Sequence, residues 1–360
     1  MPLLLVLAFL AALLSSLPQC RAAEAVPTCA GIVPMRWRRE VVSITEFGAV
    51  GDGKTLNTWS FHKAIYRIQH LRKRGGTLLY IPPGVWLTGS FDLTSHMTLY
   101  LARGAVIKAA QASVNSFLCF LQSPICKFIR DLKVHDKEML TTACSSESGL
   151  GSSSNVCIED SFVATGDDLV AVKSGWDEYG IAYGRPSSGI TVRRLTGSSP
   201  FSGIAIGSET SGGVENVLVE NIKLYDVGIG IHIKTNVGRG GYIRNITISD
   251  VNMNNVRKAI RIAGDVGDHP DENFDPNAVP TVDGVTIKNV WGEEVEQPGS
   301  IEGIKNSPFT RVCLSNVKLW GVGASPWKCT DVTGAALGVN PGPCPQLTSS
   351  FAMSYCSNDF

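Results

Sequence analysis

Two adjacent aspartates, Asp167 and Asp168, are the side chains of this chain best suited to chemistry. They follow Gly166 between two apolar runs, in the segment VATGDDLVAVKSG, and this pattern predicts strand, turn, strand. Neighbouring side chains at the mouth of a strand point to different sides, so two acids there can flank one bond. One acid can donate a proton while the other, ionised, binds water, as glycoside hydrolysis requires. The competing explanation is a plain turn, because Asp and Gly are common turn residues.

The elements that position these acids are predicted from a near repeat that begins at Asn155. Successive units open with a small or polar residue, continue with an alternating apolar core, and are followed by a Gly-containing break. The openers lie about 27 to 39 residues apart, a spacing in the range of solenoid repeats. A unit this short cannot bury its own apolar face, so neighbouring units must stack. We predict an all-β fold, a right-handed parallel β-helix, with a β-sandwich or propeller as the alternative. The units read SNVCIEDSF, SGITVRRLT, ENVLVENIKL, RNITISDVNM, DGVTIKNVW and TRVCLSNVKL.

Stacking makes neighbours of residues that are about one repeat apart in the sequence, because adjacent strands lie about 4.8 Å from each other. The positions equivalent to the aspartate pair in the next units are Ser202-Gly203 and the segment from His232 to Lys234. Lys234 can hold a sugar carboxylate or lower the pKa of an acid, although a solvated surface lysine would show the same pattern. His232 alternates with two isoleucines, so we expect it on the polar side and exposed to solvent.

The region before the repeats is predicted to contain shorter elements. A strand over Val42–Val50 closes at the turn Gly51-Asp52-Gly53, and an amphipathic helix follows that should cap the N-terminal end of the stack. The apolar side of this helix consists of Phe61, Ala64, Ile65, Ile68 and Leu71. The short strands expected next are Thr77–Ile81, Val85–Leu87, Met97–Leu101 and Ala105–Lys108.

The domain organisation is predicted from composition along the chain. Residues 1–23 read as a secretory signal peptide, with a membrane anchor as the alternative, and residues 24–360 read as one β-helix domain. Within it, 24–110 form the N-terminal cap and first rungs, 152–328 the main rungs and 329–360 a C-terminal cap. Residues 111–151 are an atypical, shortened segment with no period of two, and a rung lost there would expose the apolar edges of its neighbours unless they restack.

Charge and cysteine content limit the possible partners. The chain has 32 Lys and Arg against 32 Asp and Glu, so we expect no nucleic-acid or membrane partner, and we expect a monomer. Secretion makes the cysteines candidates for disulfides, and Cys329, Cys344 and Cys356 crowd the tail, where a bridge would fasten the cap. No Cys or His cluster has zinc spacing, so neither a metal nor another cofactor is predicted. Asn245-Ile246-Thr247 is a glycosylation sequon.

Several segments in the same order resemble family 28 of the glycoside hydrolases, the polygalacturonases, and especially its plant cell-wall members. They are EFGAVGDGKTLNT, IPPGVWLTGSFDL, GDDLVAVKSG, SGIAIGSE and IKTNVGRGG, and the resemblance covers Ser43 to Lys108 and Ser152 to Cys344. It implies a parallel β-helix and a secreted, extracellular enzyme of the cell wall. The implied activity is inverting hydrolysis of α-1,4-galacturonosyl linkages in pectin, without a metal cofactor.

The resemblance also implies residue roles. Asp167 matches the general acid, Asp168 a water-activating base, and Lys234 the lysine that holds the substrate carboxylate. Ser202-Gly203 stands at the His-Gly motif and His232 at the arginine of Arg-Ile-Lys, which places both among the substrate-binding positions. No Asn-Thr-Asp motif, the source of the family's third carboxylate, occurs before Asn155.

Three functions therefore remain open at the level of sequence. The first is a hydrolase of pectin and polygalacturonate. The second is a catalytically impaired, truncated β-helix that binds pectin without turnover. The third is a pectate lyase of similar architecture, which would use calcium and an arginine base.

Overall fold

The computed structural model describes residues 38–71, 75–110, 133–135, 139–142, 149–323, 325–347 and Cys356. The predicted signal peptide, 1–23, lies outside these residues. The described chain forms a parallel β-helix, in which strands of successive coils pair in parallel. The strands are β1 Glu40–Ser43, β2 Thr77–Ile81, β3 Gly84–Thr88, β4 Met97–Leu101, β5 Ala105–Ala109, β6 Lys133–His135, β7 Met139–Thr142, β8 Gly149–Gly151, β9 Ser154–Thr165, β10 Val170–Lys173, β11 Ser187–Ile206, β12 Val214–Lys234, β13 Tyr242–Ala263, β14 Thr281–Glu302, β15 Phe309–Leu319, β16 Lys328–Thr330 and β17 Val332–Leu337. The α-helices are α1 Thr58–Leu71 and α2 Asp177–Tyr183, and short 3-10 helices span Ile44–Phe47 and Pro345–Leu347.

The coils of the central region run as long, bent strands whose corners are made by single left-handed residues. In β12, Asn216, Asn221 and Asp226 have φ of 55°, 57° and 52°. Asn and Asp adopt this conformation more readily than other residues with a side chain, because their short polar groups bond locally. In β11, β12 and β13 the two strands predicted for the repeat are therefore joined into one continuous strand that turns without a loop, whereas β9 and β10 stay separate on either side of the Gly-Asp-Asp turn.

The core is a column of aliphatic side chains inside the coils. In-register pairing stacks Ile190 on Val217, Val217 on Ile246, and Ile246 on Val285, and all four side chains are buried. Burial of each such side chain stabilises the fold by about 1.5–3 kcal/mol. The apolar residues that alternate in the sequence therefore face the core as predicted, because every second residue of a strand points inward.

The N-terminal end confirms the predicted helix and corrects one strand. Helix α1 buries Phe61, Ala64, Ile65 and Ile68 against the first coils, as an end cap would. The strand expected over Val42–Val50 ends at Ser43, so that prediction is wrong beyond this residue. Ser43 and Glu46 form a capping box that starts the 3-10 helix Ile44–Phe47, and these local hydrogen bonds outweigh the β-propensity of the segment.

The described residues within 111–151 form short strands that continue the stack, although the sequence of the segment shows no period. Strands β6 and β7 pair with β4 and β5 on one side and with β9 on the other, while β8 pairs with β10. The described strands of this segment thus join the coils before and after it in one sheet.

The C-terminal end is fastened by disulfides. Cys329 is bonded to Cys344, and Cys313 to Cys356. The first bridge confirms that cysteines of the tail tie down the cap. The second extends the attachment to β15, which the spacing of the tail cysteines did not indicate.

Candidate active site

Asp168 is a buried carboxylate two residues before β10, held by a cation and a backbone amide. Its Oδ2 accepts from Lys234 Nζ at 2.5 Å, and its Oδ1 accepts from the Ser202 backbone N–H at 3.0 Å. Burial works to raise the pKa of this carboxyl, but the charge of Lys234 and the hydrogen bonds from Lys234 and Ser202 outweigh it, so the pKa lies below its ordinary value. Asp168 is therefore ionised at neutral pH and suited to accept a proton.

Asp167 lies one residue earlier and is only half-buried. Its Oδ1 accepts from the Asp168 backbone N–H at 2.7 Å, its own N–H donates to Thr165 Oγ1, and its carbonyl accepts from Ser199 Oγ. These bonds fix the backbone of the turn on both sides of the carboxyl group. Gly-Asp-Asp thus forms a hydrogen-bonded turn, and this turn positions two acids that differ in exposure.

Ser202 and Gly203 occupy the next coil and serve different purposes. The Ser202 N–H donates to Asp168, and its Oγ lies 3.0 Å from His232 Nδ1. Gly203 faces the core: a Cβ there would stand 2.5 Å from Leu224 Cδ1 and 2.8 Å from the Gly230 carbonyl. Gly203 thus lets the coils approach closely beside the site, and nothing in its placement supports a contact with substrate.

His232 is buried, which corrects the expectation that it is exposed. It does alternate with inward-facing isoleucines, but only 6% of its surface is accessible. Burial, followed by the charges of Lys234 and Arg261, lowers its pKa to about 3. Nδ1 meets Ser202, while Nε2 has no hydrogen-bond partner among the described residues. The sequence could not show this crowding, because the neighbours of His232 come from other coils.

A second layer of charged groups fastens the strand ends that carry the site. Lys173, at the end of β10, pairs with Glu209. Asp177 and Arg239, both fully buried, form an ion pair, and His269 Nδ1 lies 2.6 Å from Asp177 Oδ2. This trio links the start of α2 to the loops that follow β12 and β13. Sequence reasoning missed it, because its members are 62 and 92 residues apart and share no motif.

Asn245, the sequon residue, is engaged within the fold. Its Nδ2 donates to Asn216 Oδ1 at 2.6 Å, and it is half-buried at a corner of β13 with φ of 52°. The nitrogen that would carry a glycan therefore links two coils.

The described residues contain no group of three or more His, Cys, Asp and Glu side chains that could hold a metal ion. None of the helices in the described part of the chain is long and apolar enough to cross a membrane.

Comparisons with known proteins agree with this architecture. The model of Glycosyl hydrolases family 28 matches residues 142–340. A "Probable polygalacturonase" of Vitis vinifera is 34% identical over 397 residues, covering 86% of this chain and 81% of the relative. An "Endo-polygalacturonase" of Pectobacterium parmentieri is 33% identical over 181 residues, covering 50% of this chain and 41% of the relative. The crystal structure of an exopolygalacturonase of Thermotoga maritima shares the fold, with a TM-score of 0.55 and 21% identity over 87% of this chain and 94% of its own. The chain belongs to family 28 of the glycosyl hydrolases.

Proposed function

We propose that this chain hydrolyses the α-1,4-galacturonosyl linkages of pectin and polygalacturonate. The observation that carries the proposal is the ion pair of the buried Asp168 with the half-buried Lys234, with the more exposed Asp167 directly beside it. The relatives are named as polygalacturonases, and these names support polygalacturonate as the substrate. The apolar, signal-like residues 1–23 support a secreted, extracellular protein that acts at the cell wall.

The proposed reaction divides the work between the two acids. Asp168, ionised and held by Lys234 and Ser202, accepts a proton from water while the water oxygen attacks the anomeric carbon. Asp167 donates its proton to the glycosidic oxygen, which leaves as a hydroxyl group. Attack from the face opposite the leaving group inverts the configuration, and both protons are accounted for.

The substrate carboxylate is proposed to meet the cationic side of the site. Lys234 lies at the end of β12 with 17% of its side chain exposed, so it can contact a sugar while it holds Asp168. The Nε2 of the neutral His232, which has no hydrogen-bond partner among the described residues, is proposed as a hydrogen-bonding atom at the position where the family has an arginine. A buried polar atom of this kind gains about 1–3 kcal/mol when a partner arrives.

The test is release of reducing ends from polygalacturonate by the purified protein and by Asp167→Asn and Asp168→Asn variants. Each variant should lose about 10²- to 10⁴-fold in rate, because each removes one acid or base. Asp226→Asn, at an exposed corner of β12, is the matched control and should keep full activity.

The other outcomes separate the alternative functions. Binding of polygalacturonate by a folded wild-type protein that releases no reducing ends would contradict hydrolysis and leave a pectin-binding β-helix. Unsaturated products that absorb in the ultraviolet and require calcium would indicate a lyase. The comparisons give neither alternative support.

A further inference from the structure

A small pocket opens on the coils beyond the active site. Its volume is about 60 Å³, and it lies where β13, β14 and the segment leading into β16 meet. A site of this size holds a carboxylate group or a few waters but not a whole sugar ring. Its lining is formed by Lys258, Gln297, Gly299, Ser300, Ser325, Pro326 and Lys328.

The floor of the pocket contains a polar group without a partner. Ser300 is 1% exposed, and its hydroxyl oxygen makes no hydrogen bond to any described residue. A buried hydroxyl normally donates to an acceptor, because burial without a partner is unfavourable. None of the side chains that line the pocket accepts a hydrogen bond from the Ser300 hydroxyl. This hydroxyl can therefore donate to an acceptor on a bound ligand.

The charge of the pocket favours an anion. The two lysines in the lining have no carboxylate beside them within that lining. Burial, followed by the positive charges of Arg261 and Lys328, lowers the pKa of Lys258, whereas Glu302 acts in the opposite direction. Of the nearby cations, Arg261 is paired with the mostly exposed Asp265 at 3.6 Å. An anion placed between Lys258 and Lys328 would relieve their repulsion.

The strand register places the pocket in line with the active site. Asp168 precedes Val170 by two residues, and the same position in the following coils is taken by Ser202, Ile229 and Lys258. Lys258 is therefore three strands beyond Asp168 on one face, about 14 Å at the usual strand spacing. A sugar chain that extends across the strands from the aspartate pair would pass over the pocket.

We propose that the Lys258–Lys328 pocket binds a free carboxylate of a distal uronic acid residue in the same polygalacturonate chain that occupies Asp167 and Asp168. This inference rests on the proposed function for its substrate. The Ser300 hydroxyl and the two ammonium groups supply the donors. A methyl-esterified residue lacks the charge and adds bulk, so the pocket selects chains that are de-esterified at that residue.

The test is calorimetric binding of galacturonate oligosaccharides of increasing length to the Asp167→Asn protein, which under the proposed mechanism consumes them about 10²- to 10⁴-fold more slowly than the wild type. Removal of both cations, by Lys258→Gln with Lys328→Gln, should weaken binding of long oligomers about 10- to 100-fold, since charge-assisted bonds are lost. Dimers and trimers, which are too short to reach the pocket, should bind unchanged. Lys223→Gln, an exposed lysine on β12, is the control for loss of charge.

Ser300→Ala provides a second variant that should fold normally, because it removes a hydroxyl that bonds to none of the described residues. It should weaken the binding of long oligomers and leave methyl-esterified oligomers unaffected. Equal affinities in the Asp167→Asn protein and in both pocket variants made in it would overturn the inference, as would a loss that is the same for dimers and long oligomers. Pocket-dependent binding without any hydrolysis by the wild-type protein would instead contradict only the proposed function.

Discussion

Lys234 has two partners at the site, Asp168 in the free protein and the substrate carboxylate proposed here. Its charge is the main influence that lowers the pKa of the buried Asp168 carboxyl. Replacement by Met leaves the carboxylate buried without its cation, so the pKa of Asp168 should rise. Because the base must be ionised, the acid limb of the kcat/KM profile should move to higher pH by the same amount. The measurement is the pH dependence of kcat/KM, with Lys223→Met as control.

The pH profile distinguishes two roles of Lys234, binding of the substrate and control of the pKa of Asp168. A lysine that only binds substrate would, when lost, lower the plateau of the profile and leave its acid limb in place. A lysine that also tunes Asp168 shifts the limb. An unmoved limb would remove Lys234 from the control of the base.

His232 should make the protein less stable in acid. Its pKa falls from 6.5 to about 3 on folding, so between these values the unfolded chain binds a proton that the folded chain does not. The free energy of unfolding therefore decreases as pH falls through this window, by up to about 1.4 kcal/mol per pH unit. Gln at this position keeps a hydrogen-bonding group for Ser202 but cannot titrate, so the variant should show a flatter dependence.

Urea unfolding between pH 5 and 6.5 checks this prediction, and it avoids the range in which Asp168 begins to titrate. His70→Gln, an exposed histidine of α1, should retain the wild-type slope. The same slope in His232→Gln as in the wild type would mean that the buried imidazole is not the source.

At the scale of single elements, the sequence predicted most of the strands, because alternation reflects an inward and outward face that each strand has on its own. The strands over Thr77–Ile81 and Met97–Leu101 match the prediction residue for residue. The strand over Val42–Val50 failed where a capping box offered a local alternative. The three strands within 111–151 were missed, because strands of three or four residues are too short to show a period.

The candidate site also has features that the sequence predicted and one feature that it could not predict. Asp167, Asp168 and Lys234 were predicted from a motif and a repeat spacing, and the structure brings the last two into contact. Burial of His232 could not be predicted, because it depends on side chains contributed by several coils.

The corners of β12 and β13 are joined by the hydrogen bond between Asn245 and Asn216. Ala at 245 loses this bond and places a residue without a local hydrogen-bonding group at φ of 52°, so the protein should lose about 1–3 kcal/mol of stability. Thr247→Val removes the sequon and leaves the asparagine in place, so its stability should equal that of the wild type. Thermal unfolding of the three proteins from a glycosylating host is the measurement. Equal losses in both variants would show that a glycan, and not the link between coils, stabilises this corner.

At the scale of the whole molecule, the β-helix is close to one-dimensional, since each coil pairs mainly with its two neighbours. Damage at one end should therefore stay at that end. Phe61 of the capping helix is fully buried and stacks on Phe91 at 4.5 Å, whereas Ile260 is fully buried in the central coils beside the site. Truncation to Ala costs about 3–5 kcal/mol for Phe and about 2–5 kcal/mol for Ile.

The two truncations should destabilise different parts of the β-helix. Phe61→Ala should raise amide hydrogen exchange in β1 to β5, with rates in β10 to β13 unchanged and activity retained, because local opening of terminal coils leaves the aspartate pair covered. Ile260→Ala should raise exchange in β12 to β14 and reduce activity, because Arg261 and the strand beneath Lys234 then move. The measurement is hydrogen exchange by mass spectrometry for each variant, with activity measured on the same samples. If Phe61→Ala raised exchange equally from β1 to β14, the coils would open as a single unit, and stability at the cap would control the site directly.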